Sequence, residues 1–130
     1  MKINQIFVVD DDKIHHFIIN KLLKSNQISA IPSFFENGFE ALNGLKSLMS
    51  KGENPPDLIL LDINMPVLDG WQFLEEFRII KKELTKEVAI HVISSSNNSD
   101  DINKAEYFKE EIKKYHTKPV TGELIKDIFQ

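Results

Sequence analysis

The most informative absence in this chain of 130 residues is cysteine, of which there is none. Disulfides, thiolate metal sites and thiol catalysis are therefore excluded. No apolar run approaches the roughly 18 residues that a membrane span requires. The amino-terminal segment, MKINQIFVVDDD, reaches acidic residues too early for a secretory signal peptide. These absences predict a cytoplasmic protein with no membrane partner.

Positive charge is also scarce, with 16 Lys and Arg residues against 20 Asp and Glu and a formal net charge of -4. Binding nucleic acid irrespective of its sequence needs a strongly basic face. We therefore predict no nucleic-acid partner. The length fits a single domain, residues 1–130, which is large enough to bury a core without cross-links.

What the chain does have is a regular alternation of apolar runs and helical patterns, which is typical of βα units around a parallel sheet. The predicted strands are residues 3–9, 28–34, 58–61, 88–93 and 112–117. Pro32 favours an edge position for the second strand, and the unbroken LILL of the third favours a centre covered on both faces. We predict an α/β fold, a three-layer, doubly wound (βα)5 parallel sheet of the flavodoxin-like type, with strand order 2-1-3-4-5.

The predicted first helix has apolar residues at helical spacing. Its apolar face is predicted to consist of Ile14, Phe17, Ile18 and Leu22. The adjacent histidines, His15 and His16, are predicted on its surface, since a metal-binding pair on a helix needs i, i+4 spacing. Asp69 and Thr121 are predicted to cap the third and last helices.

Polar side chains follow several of the predicted strands where each strand ends. They are Asp10, Asp11 and Asp12 after the first strand, Asp62 after the third, Ser94, Ser95 and Ser96 after the fourth, and Lys118 after the fifth. In the predicted strand order, the first and third strands are neighbours where the winding direction reverses, and ligands bind beyond the carboxyl ends of strands at that point. The sequence therefore predicts one polar cluster there.

Close carboxylates repel one another by about 4 kcal/mol per pair at 4 Å and an effective dielectric constant of 20. Either their pKa values rise or a cation compensates. An anionic site of oxygen ligands suits Mg2+, and a lysine with a hydroxyl suits phosphoryl oxygens. The pattern indicates phosphoryl transfer to a carboxylate. Taken singly, the same residues also fit plainer interpretations: a helix start for Asp10 to Asp12, a turn residue for Asp62 and a solvated strand end for Lys118.

The segments VVDDDK, DLILLDINMPVLDG, VISSS and YHTKP, in this order and spacing, resemble the receiver domain of two-component response regulators. The resemblance covers essentially the whole chain. It implies that Asp62 is the phosphoacceptor for a phosphohistidine on a sensor histidine kinase or a histidine phosphotransfer protein. It also implies that Asp10, Asp11, Asp62 and the backbone carbonyl of Asn64 hold Mg2+ or Mn2+.

The same resemblance assigns further roles. The hydroxyl of Ser94 and the ammonium of Lys118 bind the arriving phosphoryl group, and Ser94 with Tyr115 forms the conformational switch. Pro119 matches a proline that follows a cis peptide bond. Asn64 and Ser96 occupy positions that tune the lifetime of the acyl phosphate.

Three functions are consistent with these residues. The first is a phosphorylatable, stand-alone receiver that signals to a downstream protein target, has no output domain and is not a turnover enzyme. The second is a phosphatase with an Asp-x-Asp pair, against which Asn64 stands at the position of the second acid. The third is a degenerate receiver that binds partners without being phosphorylated.

Overall fold

The computed structural model describes residues 3–95 and 98–129, in which strands and helices alternate. The strands are β1 (Gln5–Val9), β2 (Ile31–Phe35), β3 (Leu58–Leu61), β4 (Ala89–Ser94) and β5 (Ile112–Thr117). The helices are α1 (Lys13–Ser25), α2 (Gly38–Ser50), α3 (Gly70–Ile80), α4 (Ser99–Tyr107) and α5 (Gly122–Phe129), with a 3-10 turn, Lys81–Glu83, after α3.

The strands form one parallel sheet in the order β2-β1-β3-β4-β5, so the predicted fold is confirmed. β3 lies at the centre, and none of its four residues is more than 2% exposed. β2 is an edge strand, as Pro32 indicated, but it begins at Ile31 rather than at residue 28. The reason is the end of α1: Gln27 has a left-handed φ of 58°, and the N–H of Ile28 donates to the carbonyl of Leu23 at 2.9 Å.

Apolar side chains cover both faces of the sheet, because successive residues of a strand point to opposite sides. One core cluster joins the sheet to α2 and α3 and includes Phe7, Val9, Ile59, Leu61, Leu45, Phe73 and Leu74. The other joins it to α1 and α5 and includes Ile6, Val8, Leu58, Leu60, Ile19, Leu23 and Ile125. Each such side chain contributes about 1.5–3 kcal/mol on burial.

Side-chain caps fix where the helices begin. Asp12, Asn37, Asp69 and Asn98 each accept a hydrogen bond from a backbone N–H in the first turn of the helix that follows. Asp69 forms a capping box with Gln72, and Thr121 Oγ1 accepts from the N–H of Leu124 at 3.1 Å, so both predicted caps are confirmed. Among the described residues, no helix has the length and apolar character needed to cross a bilayer.

Of the four residues in the predicted apolar face of α1, only Leu22 packs against the core. Ile14 and Phe17 are 70% and 67% exposed and Ile18 is 39% exposed, whereas His15, Ile19 and Leu23 are buried. The helix carries two adjacent apolar stripes, and periodicity alone does not choose between them. Packing of Ile19 and Leu23 in the core cluster with α5 selects the stripe that contains His15. His15 is therefore not a surface residue, and His16 is half-buried.

Candidate functional site

The carboxyl ends of β1 and β3 lie side by side and bring three acidic side chains together. Asp10 follows β1, Asp62 follows β3, and the N–H of Asp62 donates to the carbonyl of Val9 at 2.8 Å. Asp10 and Asp62 are buried at 2% and 5% exposure, and Asp11 is exposed. Carboxylate oxygens of Asp10, Asp11 and Asp62 lie within 4.8 Å of one another. The predicted acidic cluster is present.

Lys118 faces this cluster from the end of β5. Its Nζ lies 3.2 Å from Asp10 Oδ2 and 3.7 Å from Asp62 Oδ1. The N–H of Lys118 donates to the carbonyl of Ser94 at 2.8 Å, and the Lys118–Pro119 peptide bond is cis, as the resemblance implied. Two adjacent strand ends, those of β4 and β5, thus fix the backbone from which this ammonium group reaches the carboxylates.

The two buried carboxyl groups differ in acidity. Burial raises the pKa of Asp62 to about 6, and the charge of Asp10 adds to this effect while Lys118 opposes it. Burial also acts to raise the pKa of Asp10, but hydrogen bonds from His15 and from the backbone N–H of Asp12, with the charge of Lys118, hold it below its ordinary value. Burial acts to lower the pKa of Lys118, but the charges of Asp10 and Asp62 raise it. Asp62 therefore lacks full compensation of its charge.

The donor set fits a hard divalent cation. All the candidate ligand atoms are oxygens, two of the three carboxylates are buried, and the charge of Asp10 adds to the effect of burial in raising the pKa of Asp62. Such a set suits Mg2+ or Mn2+ better than metals that prefer nitrogen or sulfur ligands. Asn64 is exposed and lies two residues after Asp62, and the part of its carbonyl in metal binding stays a prediction.

Ser94 and Tyr115 form a pair on neighbouring strands. Ser94 ends β4 and is fully buried, and it shares a hydrogen bond with the half-buried Tyr115 of β5. Burial raises the pKa of Tyr115, and the hydrogen bond with Ser94 opposes this effect. The structure thus brings the two predicted switch residues together. Ser95 is exposed, and Ser96 lies outside the described residues.

The loop after Asp62 is tightly constrained. A Cβ atom on Gly70 would lie 2.6 Å from the carbonyl oxygen of Asp62, so the start of α3 can approach the end of β3 only with glycine there. Val67 has a φ of 69°, a left-handed conformation that is costly for a β-branched residue. Strain of this kind persists only where the surrounding structure enforces it, and it is commonly found near functional sites.

Sequence reasoning missed the two histidines of α1. His15 Nδ1 lies 2.5 Å from Asp10 Oδ2, and His16 Nε2 lies 2.6 Å from the carbonyl oxygen of Asp10. The available signal was the i, i+4, i+8 stripe of His15, Ile19 and Leu23, which continues a core face up to the first turn of the helix. A histidine on that stripe lies at the end of the helix closest to the acidic cluster.

Known proteins are similar to this chain in sequence and in fold. A curated relative, the sensor histidine kinase CheAY of Helicobacter pylori, is 33% identical over 125 residues, which cover 96% of this chain but only 14% of the kinase. The crystal structure of a two-component response regulator from Cytophaga hutchinsonii superposes with a TM-score of 0.86 at 26% identity, covering 99% of this chain and 96% of that one. The phosphorylated cyanobacterial phytochrome response regulator RcpA superposes with a TM-score of 0.78 at 28% identity, covering 96% and 88%.

The family model that describes the response regulator receiver domain matches residues 6–130. This match covers the whole acidic cluster and every strand residue except Gln5, the first residue of β1. Receiver domains accept a phosphoryl group at an acidic site that binds Mg2+ or Mn2+, and they interact with histidine kinases and downstream targets. The chain belongs to the receiver-domain family of two-component response regulators.

Proposed function

We propose that this receiver accepts a phosphoryl group on Asp62. The observation that carries the proposal is the cluster of Asp10, Asp11 and Asp62 oxygens within 4.8 Å, with the ammonium group of Lys118 beside it. Asp62 stands at the end of a buried strand, so its position is rigid, and its charge is only partly compensated. Both features suit a nucleophile, which needs a fixed position and, here, a carboxylate whose negative charge is stabilised when a cation or a phosphoryl group binds.

In the proposed reaction, a carboxylate oxygen of Asp62 bonds to phosphorus while the bond between phosphorus and the imidazole nitrogen of the donor histidine breaks. The electron pair stays on that nitrogen, which takes up a proton. Asp10, Asp11, Asp62 and the carbonyl of Asn64 would hold the divalent cation, which neutralises charge on the carboxylates and the phosphoryl oxygens. Lys118 then pairs with the phosphoryl group, and the hydroxyl of Ser94 donates to it.

The test is direct phosphorylation. Wild-type protein and Asp62→Asn are incubated with acetyl phosphate and Mg2+, and intact mass is measured. We expect a gain of one phosphoryl group in the wild type, none in Asp62→Asn, and a normal gain in Asp127→Asn, an exposed acidic residue of α5 that serves as control. If folded wild-type protein binds Mg2+ but gains no mass, the chain acts as a degenerate receiver instead.

We propose that Ser94 and Tyr115 transmit the change. Their hydrogen bond joins β4 to β5, and recruitment of the Ser94 hydroxyl by the phosphoryl group would break it and bias α4, which follows β4. Phosphorylation should shift the backbone amide NMR signals of α4 in the wild type and in a Ser94→Thr variant, which keeps the hydroxyl. Equal shifts in Ser94→Ala would contradict this role.

We propose that the phosphodonor protein, a histidine kinase or phosphotransfer protein, binds the exposed face of α1. This α1 strip, Ile14, Phe17 and Ile18, is apolar and begins four residues after Asp10. Phe17→Ala should slow phosphotransfer from a phosphohistidine protein by about tenfold or more, the loss of one central apolar contact, without changing the rate with acetyl phosphate. Ile79→Ala, on the exposed side of α3, is the matched control. An equal effect of Phe17→Ala with both donors would contradict this docking site.

The downstream protein target, the extent of the domain over residues 1–130 and a cytoplasmic location stay predictions from the sequence.

A further inference from the structure

His15 is a buried histidine at the edge of the proposed site. Its side chain is 9% exposed and lies in the first turn of α1, three residues after the N-cap Asp12. Nδ1 lies 2.5 Å from Asp10 Oδ2, and Nε2 is buried with no hydrogen-bond partner among the described residues. The other residues of this stripe, Ile19 and Leu23, are apolar. A leucine at position 15 would therefore satisfy the packing, and packing alone does not explain the histidine.

The contact with Asp10 determines where the imidazole carries its hydrogen. A carboxylate oxygen can only accept, so Nδ1 must be the donor. A hydrogen on the partnerless Nε2 would leave a buried donor unsatisfied, which is unfavourable. The geometry therefore selects the tautomer with the hydrogen on Nδ1.

Both oxygens of Asp10 are consequently held in place. Oδ1 accepts from the backbone N–H of Asp12 at 2.9 Å, and Oδ2 lies between His15 Nδ1 and Lys118 Nζ, which is 3.2 Å away. An incoming phosphoryl group would draw Lys118 away, whereas His15 belongs to a packed helix and stays. His15 is thus the fixed side-chain partner of this oxygen.

We propose that His15 is a positioning residue for the metal site: its Nδ1–H holds the carboxylate of Asp10 in the orientation needed to bind a divalent cation together with Asp11 and Asp62. This inference rests on the proposed function of the acidic cluster. Partners that orient ligand side chains in this way contribute strongly to metal affinity, and their loss commonly weakens binding by about 10- to 100-fold.

Two variants separate positioning from space filling. His15→Asn keeps an N–H donor near the place of Nδ1, and His15→Leu keeps the apolar volume without a donor. Each is titrated with Mg2+ by isothermal calorimetry, and folding is checked by circular dichroism. We expect His15→Leu to bind Mg2+ about tenfold or more weakly and His15→Asn to stay within about threefold of the wild type.

A second measurement needs neither a variant nor a metal. Long-range proton–nitrogen NMR correlations of the imidazole in the wild type should show the hydrogen of His15 on Nδ1. If the hydrogen is on Nε2, or if His15→Leu binds Mg2+ as tightly as the wild type, the inference is wrong. If the wild type itself binds no Mg2+ at millimolar concentration, the proposed function fails instead, and the NMR result still decides whether His15 holds Asp10.

Discussion

Asp62 and Glu111 are each 5% exposed, yet their surroundings have opposite effects on their charge. Glu111 lies just before β5, at the amino end of that strand, and both its carboxylate oxygens are paired. Oε1 accepts hydrogen bonds from Arg78 Nη2 at 2.8 Å and from Arg78 Nε at 3.2 Å, and Oε2 contacts Lys81 Nζ. Burial acts to raise the pKa of Glu111, but Arg78 and Lys81 together hold it below its ordinary value. At Asp62, burial and Asp10 raise the pKa to about 6.

The difference shows how the chain separates a structural carboxylate from a reactive one. Arg78 also donates to the carbonyl of Tyr107 and lies over the rings of Tyr107 and Phe108, so the Glu111 cluster joins α3 to the end of α4. Asp62 has one ammonium group, that of Lys118, at 3.7 Å and two other carboxylates, those of Asp10 and Asp11, nearby. The charge of Glu111 is fully paired within the protein, whereas the charge of Asp62 is only partly paired and can be compensated further by a cation or a phosphoryl group.

The largest change in the free energy of unfolding is expected when the pairing of Glu111 with Arg78 and Lys81 is broken. Glu111→Gln should lower the free energy of unfolding by roughly 2–3 kcal/mol. This is less than the roughly 3–5 kcal/mol for a fully buried pair, because the side chains of Arg78 and Lys81 are 33% and 32% exposed. Urea unfolding measures this change, with the exposed neighbour Glu110→Gln as control. The depressed pKa of Glu111 means that its stabilisation is present above its ordinary pKa of 4.5 and is lost as the pH falls. An unchanged free energy of unfolding in Glu111→Gln would contradict the structural role of Glu111.

The opposite change in the free energy of unfolding is expected when the charge of Asp62 is removed. Because its pKa is raised in the folded state, the ionised carboxylate destabilises the fold above pH 6, and protonation relieves this cost as the pH falls through about 6. Asp62→Asn should therefore raise the free energy of unfolding by roughly 1–2 kcal/mol at pH 8 without Mg2+. At pH 5, between the ordinary pKa of 3.8 and the folded value of about 6, the gain should be about half as large. Urea unfolding at both pH values checks this. A gain that does not change with pH would show that the carboxylate is already compensated.

The smallest effect concerns the strained loop beside Asp62. Val67→Gly removes the cost of a left-handed φ at a β-branched residue but adds chain entropy to the unfolded state, so a net stabilisation of about 0.5–1 kcal/mol is expected. Gln27→Gly, at the left-handed residue that follows α1, is the matched case, and its gain should be smaller because glutamine is not β-branched. Thermal unfolding measures both. A destabilised Val67→Gly would mean that the side chain of Val67 makes contacts worth more than the strain.

Much of the fold follows from local signals. The LILL run is apolar on both faces, so only a central strand satisfies it, and the caps at Asp69 and Thr121 are recognisable from residue type and position. The bounds of β3 and β5 are those predicted. The start of β2 was misjudged because the turn at Gln27 carries no glycine to mark the left-handed residue.

The candidate site was predictable in composition but not in its electrostatics. The positions of Asp10, Asp62, Ser94 and Lys118 at strand ends place them at one edge in any sheet of this order. The contact of His15 with Asp10 could not be predicted because the apolar residues of α1 fit two helix faces equally well. Only packing against α5 shows that the face with His15 is the buried one.

The order of elements, the central strand and the residue types at its carboxyl end follow from the chain's local pattern, because they depend on periodicity, turn chemistry and topology rules. Only tertiary packing sets which face of α1 is buried and brings His15 and Lys118 to one oxygen of Asp10. It also gives Glu111 two cationic partners and leaves Asp62 with one ammonium group at 3.7 Å. Burial and charge compensation depend on distances between residues far apart in the chain. No local pattern encodes those distances, since they arise only when the sheet and its two helical layers pack together.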